Sequence, residues 1–219
     1  MSMFLGPIHH WLYNKIRIAA ARSLAIEEAL SGSYSKDAAS IMAEVDDIYP
    51  PFPQDVDLED IIGDAPIHGF LNGLIRMVEM REGAIIKTFL RTCGDGVKEV
   101  AVKAAAEHGR LTGEAARGEV EQGSFESLFK ALGDRRLEGM PCDEGGQPEV
   151  EGQRLNISHS KCLHHYNWYG SGAPIDTMCR ITGAWIEGFI KGAAPDVSYS
   201  MEESIADGAK ECRYSITAA

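Results

Sequence analysis

No basic stripe runs along this chain. Its net charge is −12, and binding a phosphate backbone requires clustered lysine and arginine that displace counterions. Nucleic acid is therefore not expected as a partner. The longest basic feature, Asp134-Arg135-Arg136, reads as a solvated turn. Long apolar runs are missing as well: charge interrupts every hydrophobic helical segment short of the ~18 residues a membrane span needs. The opening Met1-Ser2-Met3-Phe4-Leu5-Gly6-Pro7 lacks a charged stretch followed by an apolar one and a small-residue cleavage site. The expected location is the cytoplasm. Five cysteines are an odd number, and Cys93, Cys142, Cys162, Cys179 and Cys212 fit no small disulfide framework, so reduced thiols are the simpler reading. A Gly-rich phosphate loop, HExxH, CxxC and GxSxG are all absent, which removes P-loop, zincin, thioredoxin-like and α/β-hydrolase chemistries.

What remains is a chain of ordinary globular texture, 44% hydrophobic and 25% charged over 219 residues. That length supports one core, or one core with an added helical layer. Pro7 suits the first turn of a helix, where a missing N–H costs nothing. Ile8, Leu12 and Ile16 continue at helical spacing toward Leu30, and Ser31-Gly32-Ser33 is expected to stop the helix. A second helix carries Ile41, Val45 and Ile48 on one face, and Pro50-Pro51-Phe52-Pro53 forces an extended connection. Asp64-Ala65-Pro66 opens a long helix that continues to the Gly94-Asp95-Gly96 break. The next helix bears Val97, Val100 or Ala101, Ala104, His108, Leu111 and Ala115. Its Gly109 and Gly113 lie four apart, a spacing that permits close approach of a neighbouring backbone at a cost of ~1 kcal/mol of helix propensity each. Ser124 caps a short helix.

After Gly133 the pattern changes. Leu137–Cys142 and Glu149–His159 alternate like two strands joined through Asp143-Glu144-Gly145-Gly146. Helices over 160–169 and 174–191 follow, then strands over 197–203 and 211–217 joined at Asp207-Gly208. The expected fold is α+β: a helical N-terminal half, then an antiparallel β-sheet of about four strands packed against helices. Residues 1–94 form a helical region packed on a main domain of residues 95–219.

The densest group of reactive side chains is His159-Ser160-Lys161-Cys162-Leu163-His164-His165-Tyr166. If a helix covers it, Cys162 and His165 share a face at a spacing of three. They then form either a nucleophile with its base or part of a metal site. Three imidazoles and a thiol suit zinc or iron, with Cys162, His164, His165 and Cys179 as candidate ligands. Each has a plain alternative, since buried cysteine is a common core residue. Cys179 has Ile175, Met178, Trp185 and Ile186 around it, and Cys212 shares a strand face with Tyr214 and Ile216, so both read first as core. His9-His10-Trp11-Leu12-Tyr13-Asn14 is rich enough in ring systems to line a pocket or to hold haem through His9 or His10. Adjacent histidines diverge by ~100° around a helix, however, and rarely serve one metal. His108 reads as a satisfied core histidine.

Three stretches, Asn156-Ile157-Ser158-His159-Ser160-Lys161-Cys162-Leu163, Gly170-Ser171-Gly172-Ala173-Pro174 and Met178-Cys179-Arg180-Ile181, occur in an order that ends with Glu211-Cys212-Arg213-Tyr214-Ser215-Ile216. That order resembles the L-2-amino-thiazoline-4-carboxylic acid hydrolase-like family and, more distantly, the 4-vinyl reductase-type domains. The helix around His108 is also similar to a Gly-containing helix of such domains. The resemblance covers residues 95–217. It implies an often dimeric α+β domain that holds a small ligand between sheet and helices. The matching positions are Cys162, Cys179 and Cys212. An acidic residue is expected three positions after the middle cysteine, and Thr182 stands there instead, which removes a general acid or base. Two functions follow as expectations. One is a hydrolase-like enzyme for a small heterocyclic or amide-like compound, working through Cys162 and His165. The other is a binding domain for a hydrophobic small molecule, metal or haem, with Trp11, Tyr13, Trp168, Tyr169 and Trp185 around the pocket. Either is expected as a homodimer with a small-molecule partner.

Overall fold

The computed structural model describes residues 5–143 and 145–218. Eight α-helices and a four-stranded antiparallel sheet follow one another in the expected order, with helices first. They are α1 (Pro7–Ser33), α2 (Ser35–Ile48), α3 (Leu58–Ile62), α4 (Ile67–Cys93), α5 (Gly96–Ala116) and α6 (Phe125–Gly133), then β1 (Gln147–Glu151), β2 (Arg154–His159), α7 (His165–Ser171), α8 (Ile175–Ala193), β3 (Val197–Glu203) and β4 (Cys212–Ala218).

Several boundaries differ from expectation for identifiable reasons. Gly32 does not stop α1; a single non-helical residue, Tyr34, separates it from α2. Ile41 and Val45 are buried on α2 while Ile48 is exposed, as is Leu111 on α5. The short α3 buries Leu58 and Ile62 between the proline run and α4. Leu137–Cys142 is not a strand, and the first hairpin lies wholly within 147–159. Its turn is Gly152-Gln153, closed by the Glu151–Arg154 pair, with Gly152 at φ +59°. A two-residue hairpin loop demands that left-handed conformation, and glycine adopts it without penalty. Glu144, part of the expected turn, lies outside the described residues. Ser124 caps α6 as expected, its side chain accepting from the Ser127 N–H.

In the sheet β2 pairs with β1 and β4, and β3 covers the far side of β4. Leu155 and Ile157 of β2 and Tyr214 and Ile216 of β4 are buried, whereas β1 is exposed throughout. Period-two alternation places the apolar set on the face covered by α8 and leaves Arg154, Asn156 and Arg213 on the other. One continuous core joins Ile26, Leu30, Ile85 and Phe89 of the helical region to Leu155, Trp185, Phe189 and Ile216, so packing crosses residue 94 without a seam. A smaller cluster, with Leu12, Ile16, Phe52, Leu71 and Ile75, holds α1, α3 and α4 together.

The closest contact in the molecule is between α5 and α8. A Cβ built on Gly109 would lie 2.1 Å from the Trp185 carbonyl oxygen, and one on Gly113 the same distance from that of Phe189. Gly188 and Gly192 of α8 stand equally close to the carbonyls of Ala106 and Arg110. Four glycines, two per helix at a spacing of four, thus let the two backbones touch. The contact is sealed at one end by Trp185 Nε1–H donating to His108 Nδ1 at 2.9 Å, which confirms His108 as a satisfied core histidine. Buried Lys15 lies over the Trp11 ring, 4.1 Å from its centroid, and other charges inside the fold are held in ion pairs. Arg22 of α1 makes two 2.7 Å bonds to Glu82 of α4, and Arg81 bonds Asp46 at 2.6 Å and Glu27 at 2.9 Å. Removing one partner of such a pair leaves an uncompensated buried charge.

The glycine contact predicts opposite outcomes for one type of substitution. Gly109→Ala or Gly188→Ala forces Cβ into a backbone carbonyl and is expected to destabilise the protein by about 3 kcal/mol or more. Gly73→Ala, on exposed α4 surface with nothing within 4 Å, is expected to stabilise by about 0.5–1 kcal/mol. Denaturant unfolding of the three variants measures both.

Candidate functional site

The end of β2, the start of β4, the turn before α7 and the middle of α8 line a half-open hollow of about 80 Å³. Cys162 comes from the turn, Cys179 from α8 and Cys212 from the start of β4, and all three line this space. The three positions that match the resembled family thus converge, and Cys179 and Cys212 are cavity walls rather than plain core. A larger groove of about 350 Å³, between α6 and the end of α8, is lined by Val120, Phe125, Leu128 and Pro195 but holds no cysteine or histidine.

The expected pairing of Cys162 with His165 is not what the structure builds. The helix begins at His165, not at residue 160, so Cys162 lies before it and the three-residue spacing no longer sets a shared face. The backbone N–H groups of His164 and His165 act on the Cys162 sulfur and favour its thiolate. His165 is exposed and stacks on exposed Tyr169. Burial pushes the Cys162 thiol up, and those two N–H groups only partly offset it. Burial likewise raises the Cys179 thiol, whose sulfur lies 3.3 Å from Ser204 Oγ. Cys212 Sγ accepts from Ile205 N–H at 3.4 Å.

His164 is the imidazole of that turn that faces the same space. Its Nδ1 lies 2.6 Å from Oε1 of Glu79, and its ring stacks on Trp168 at 4.8 Å between centroids. Oε2 of Glu79 accepts from Asn167 Nδ2 at 2.6 Å. Glu79 sits in the middle of α4, with a side chain only 4% exposed. A glutamate there, four helical residues from apolar Ile75, gives no sign in the sequence that it reaches α7.

The lining carries a second set that sequence reasoning missed. Arg136 is 5% exposed, not part of a solvated turn. It bonds Tyr214 Oη and Glu138, each at 2.5 Å. Burial works against the Glu138 carboxylate, but Arg136 and then His159 hold it below its ordinary value. His159 stacks on Tyr214 and stands 3.6 Å from Glu138. Burial and the Arg136 charge lower its pKa to about 4, and burial raises the Tyr214 phenol to about 12. Arg136 Nε, Trp168 Nε1 and Thr182 Oγ1 all belong to cavity-lining residues and are buried without a hydrogen-bond partner. A buried polar atom left unpaired costs ~1–3 kcal/mol.

The other candidates are placed elsewhere. Among the described residues no three His, Cys, Asp or Glu side chains stand close enough to hold a metal ion, so Cys162, His164, His165 and Cys179 do not form a ligand set as arranged. His9 accepts at Nδ1 from the Gly6 N–H and closes the start of α1. His10 faces Glu59 at 3.4 Å. Neither lines the thiol cavity. Of the expected aromatic lining only Trp168 is present. Trp11 donates to Asp134, Tyr13 donates to the Val56 carbonyl, Tyr169 is exposed and Trp185 is turned to His108.

No family model, curated protein or solved structure matches the chain. Among the described residues no helix is long and apolar enough to cross a membrane.

Folding lowers the His159 and His108 pKa values from 6.5 to about 4, so between those values the unfolded chain binds more protons than the folded one. Their contribution to stability is complete above pH 6.5 and is lost as pH falls through 4. The melting temperature is expected to drop across that window, and less steeply in His159→Asn. A melting temperature constant from pH 7 to 4 contradicts both burials.

Proposed function

We propose that the thiol-lined cavity is a small-molecule site and that the protein binds a compact hydrophobic compound there. The observation that supports this reading is the set of buried, unpartnered polar atoms on Arg136, Trp168 and Thr182, residues of a cavity whose apolar lining includes Leu163, Ile186 and Met201. An apolar hollow with a few convergent polar groups is the usual make-up of a ligand site. The volume limits the occupant: a dry apolar cavity of ~150 Å³ accepts benzene, so about 80 Å³ suits a small compound or the head of a longer one. That size does not favour haem, and the scattered ligand candidates do not favour zinc or iron.

A second reading is hydrolytic turnover of a heterocyclic or amide-like compound at Cys162, as the resemblance to the thiazoline-carboxylate hydrolase-like family implies. It is favoured by the position of Cys162 in the cavity wall with two backbone N–H groups on its sulfur. In this reading His165 no longer serves as the base. A homodimer is part of this proposal.

Gly183 tests the binding reading. It lines the cavity from α8, and a Cβ added there meets only Tyr199 Oη, at an ordinary 3.7 Å. Gly183→Ala is expected to stabilise the fold by about 0.5–1 kcal/mol through helix propensity while weakening the binding of small apolar ligands such as cyclopentanone or benzene. Thermal shift and Trp168 fluorescence report the two effects. Equal ligand response in both proteins, or no response in either, argues against the cavity as the site.

A further inference from the structure

We infer that Glu79 and His164 form the oriented base for Cys162, so that the N-terminal helical region supplies the carboxylate missing at Thr182. The inference rests on the hydrolytic reading and assigns its proton-handling groups. A buried thiol raised by desolvation is protonated near neutral pH, so its use as a nucleophile requires a neighbouring base. Two imidazoles line the cavity, His159 and His164. His159 is turned to Glu138 and stacked on Tyr214 beside the Arg136 charge, which disfavours taking up a proton there.

His164 is held differently. Glu79 Oε1 lies 2.6 Å from Nδ1, and a carboxylate can only accept, so Nδ1 carries a hydrogen and Nε2 is the nitrogen that a neutral ring offers as base. The ring is fixed from three sides: by Glu79, by stacking on Trp168, and by the turn whose N–H groups act on the Cys162 sulfur. Glu79 is fixed in turn by Asn167 on its other oxygen. A nucleophile, a base and a third group that orients the base are the parts such chemistry needs. Among the described residues no hydrogen bond joins the sulfur to the ring. The two line one cavity.

The step balances without any further reactant except water. The Cys162 S–H proton passes to His164 Nε2 as sulfur bonds to the carbonyl carbon of a small ester or amide. The C–O or C–N bond then breaks, and the leaving alcohol or amine takes that proton. Water, giving a proton to the same Nε2, attacks the thioester; the acid departs and the proton returns to sulfur. His164 touches the reacting atoms, whereas Glu79 is a positioning residue that acts through it.

The test uses p-nitrophenyl acetate as the acyl donor and locates the acetyl group by mass spectrometry of the whole protein and its peptides. Cys162 is expected to be acetylated faster than Cys179 and Cys212, although all three share the cavity. Glu79→Gln is expected to slow Cys162 acetylation at least ~10-fold without changing the affinity for cyclopentanone, and Glu79→Asp to restore part of the rate. His164→Ala is expected to lose the rate and regain it with imidazole in solution, a rescue that a structural role does not give. Should Glu79→Gln fail to fold, the imidazole rescue decides alone. Unchanged acetylation in Glu79→Gln or His164→Ala overturns the inference and leaves Cys162 as a nucleophile without this base. Equal acetylation of the three cysteines, or no adduct in the unaltered protein, overturns the inference together with the hydrolytic reading, while cyclopentanone binding separately reports on the cavity.

Discussion

The backbone contact between α5 and α8 is the constraint on which the remaining structure depends. Four glycines remove the side chains that would hold the two helices ~8–10 Å apart, and carbonyls of each helix fill the space so freed. That fixes the rotation of α8. With Trp185, Gly188, Phe189 and Gly192 turned to α5, the positions Cys179, Thr182, Gly183 and Ile186 must face the cavity. The same rotation lays α8 over the buried face of the sheet, where Leu155, Ile157, Tyr214 and Ile216 complete the core.

Around this pair the helical region does more than cover apolar surface. The α4 helix carries Glu79, Arg81 and Glu82 in its buried middle, an arrangement tolerated because each charge has a partner. Glu82 holds Arg22 and Arg81 holds Asp46 and Glu27, which ties α1 and α2 to α4. Glu79 points the other way, to His164 and Asn167 at the cavity. The buried polar groups of α4 thus join the outer helices to the cavity wall through one element.

The cavity has charged groups and thiols in its lining. Arg136, Glu138, His159 and Tyr214 form a compact set whose charges largely cancel, with burial keeping His159 neutral. The same space is lined by three thiols from three different elements, with Cys212 paired across the strands with His159. Burial raises two of these, Cys162 and Cys179, so the space is apolar in character despite its polar atoms. Arg136 and Trp168, which line it, each keep one buried donor without a hydrogen-bond partner.

Local signals in the sequence determined most of the architecture. Helical spacing gave α1, α2, α4 and α5, Ser124 gave the cap of α6, and the Gly109–Gly113 spacing gave the close helix contact, because each depends on residues within a turn or two of one another. The order of helices before an antiparallel sheet followed from the same patterns. The hairpin at Gly152 and the start of α7 were misplaced. Alternation cannot distinguish one long strand from two short ones, and α7 starts only at His165, after the turn that carries Cys162. The tertiary structure alone decided the site. It brought Cys162, Cys179 and Cys212 together, sent His165 outward, buried Arg136 and delivered Glu79 from a helix 85 residues away in sequence. The physical reason is that a cavity is defined by contacts between distant elements, while sequence patterns report only the neighbours along one.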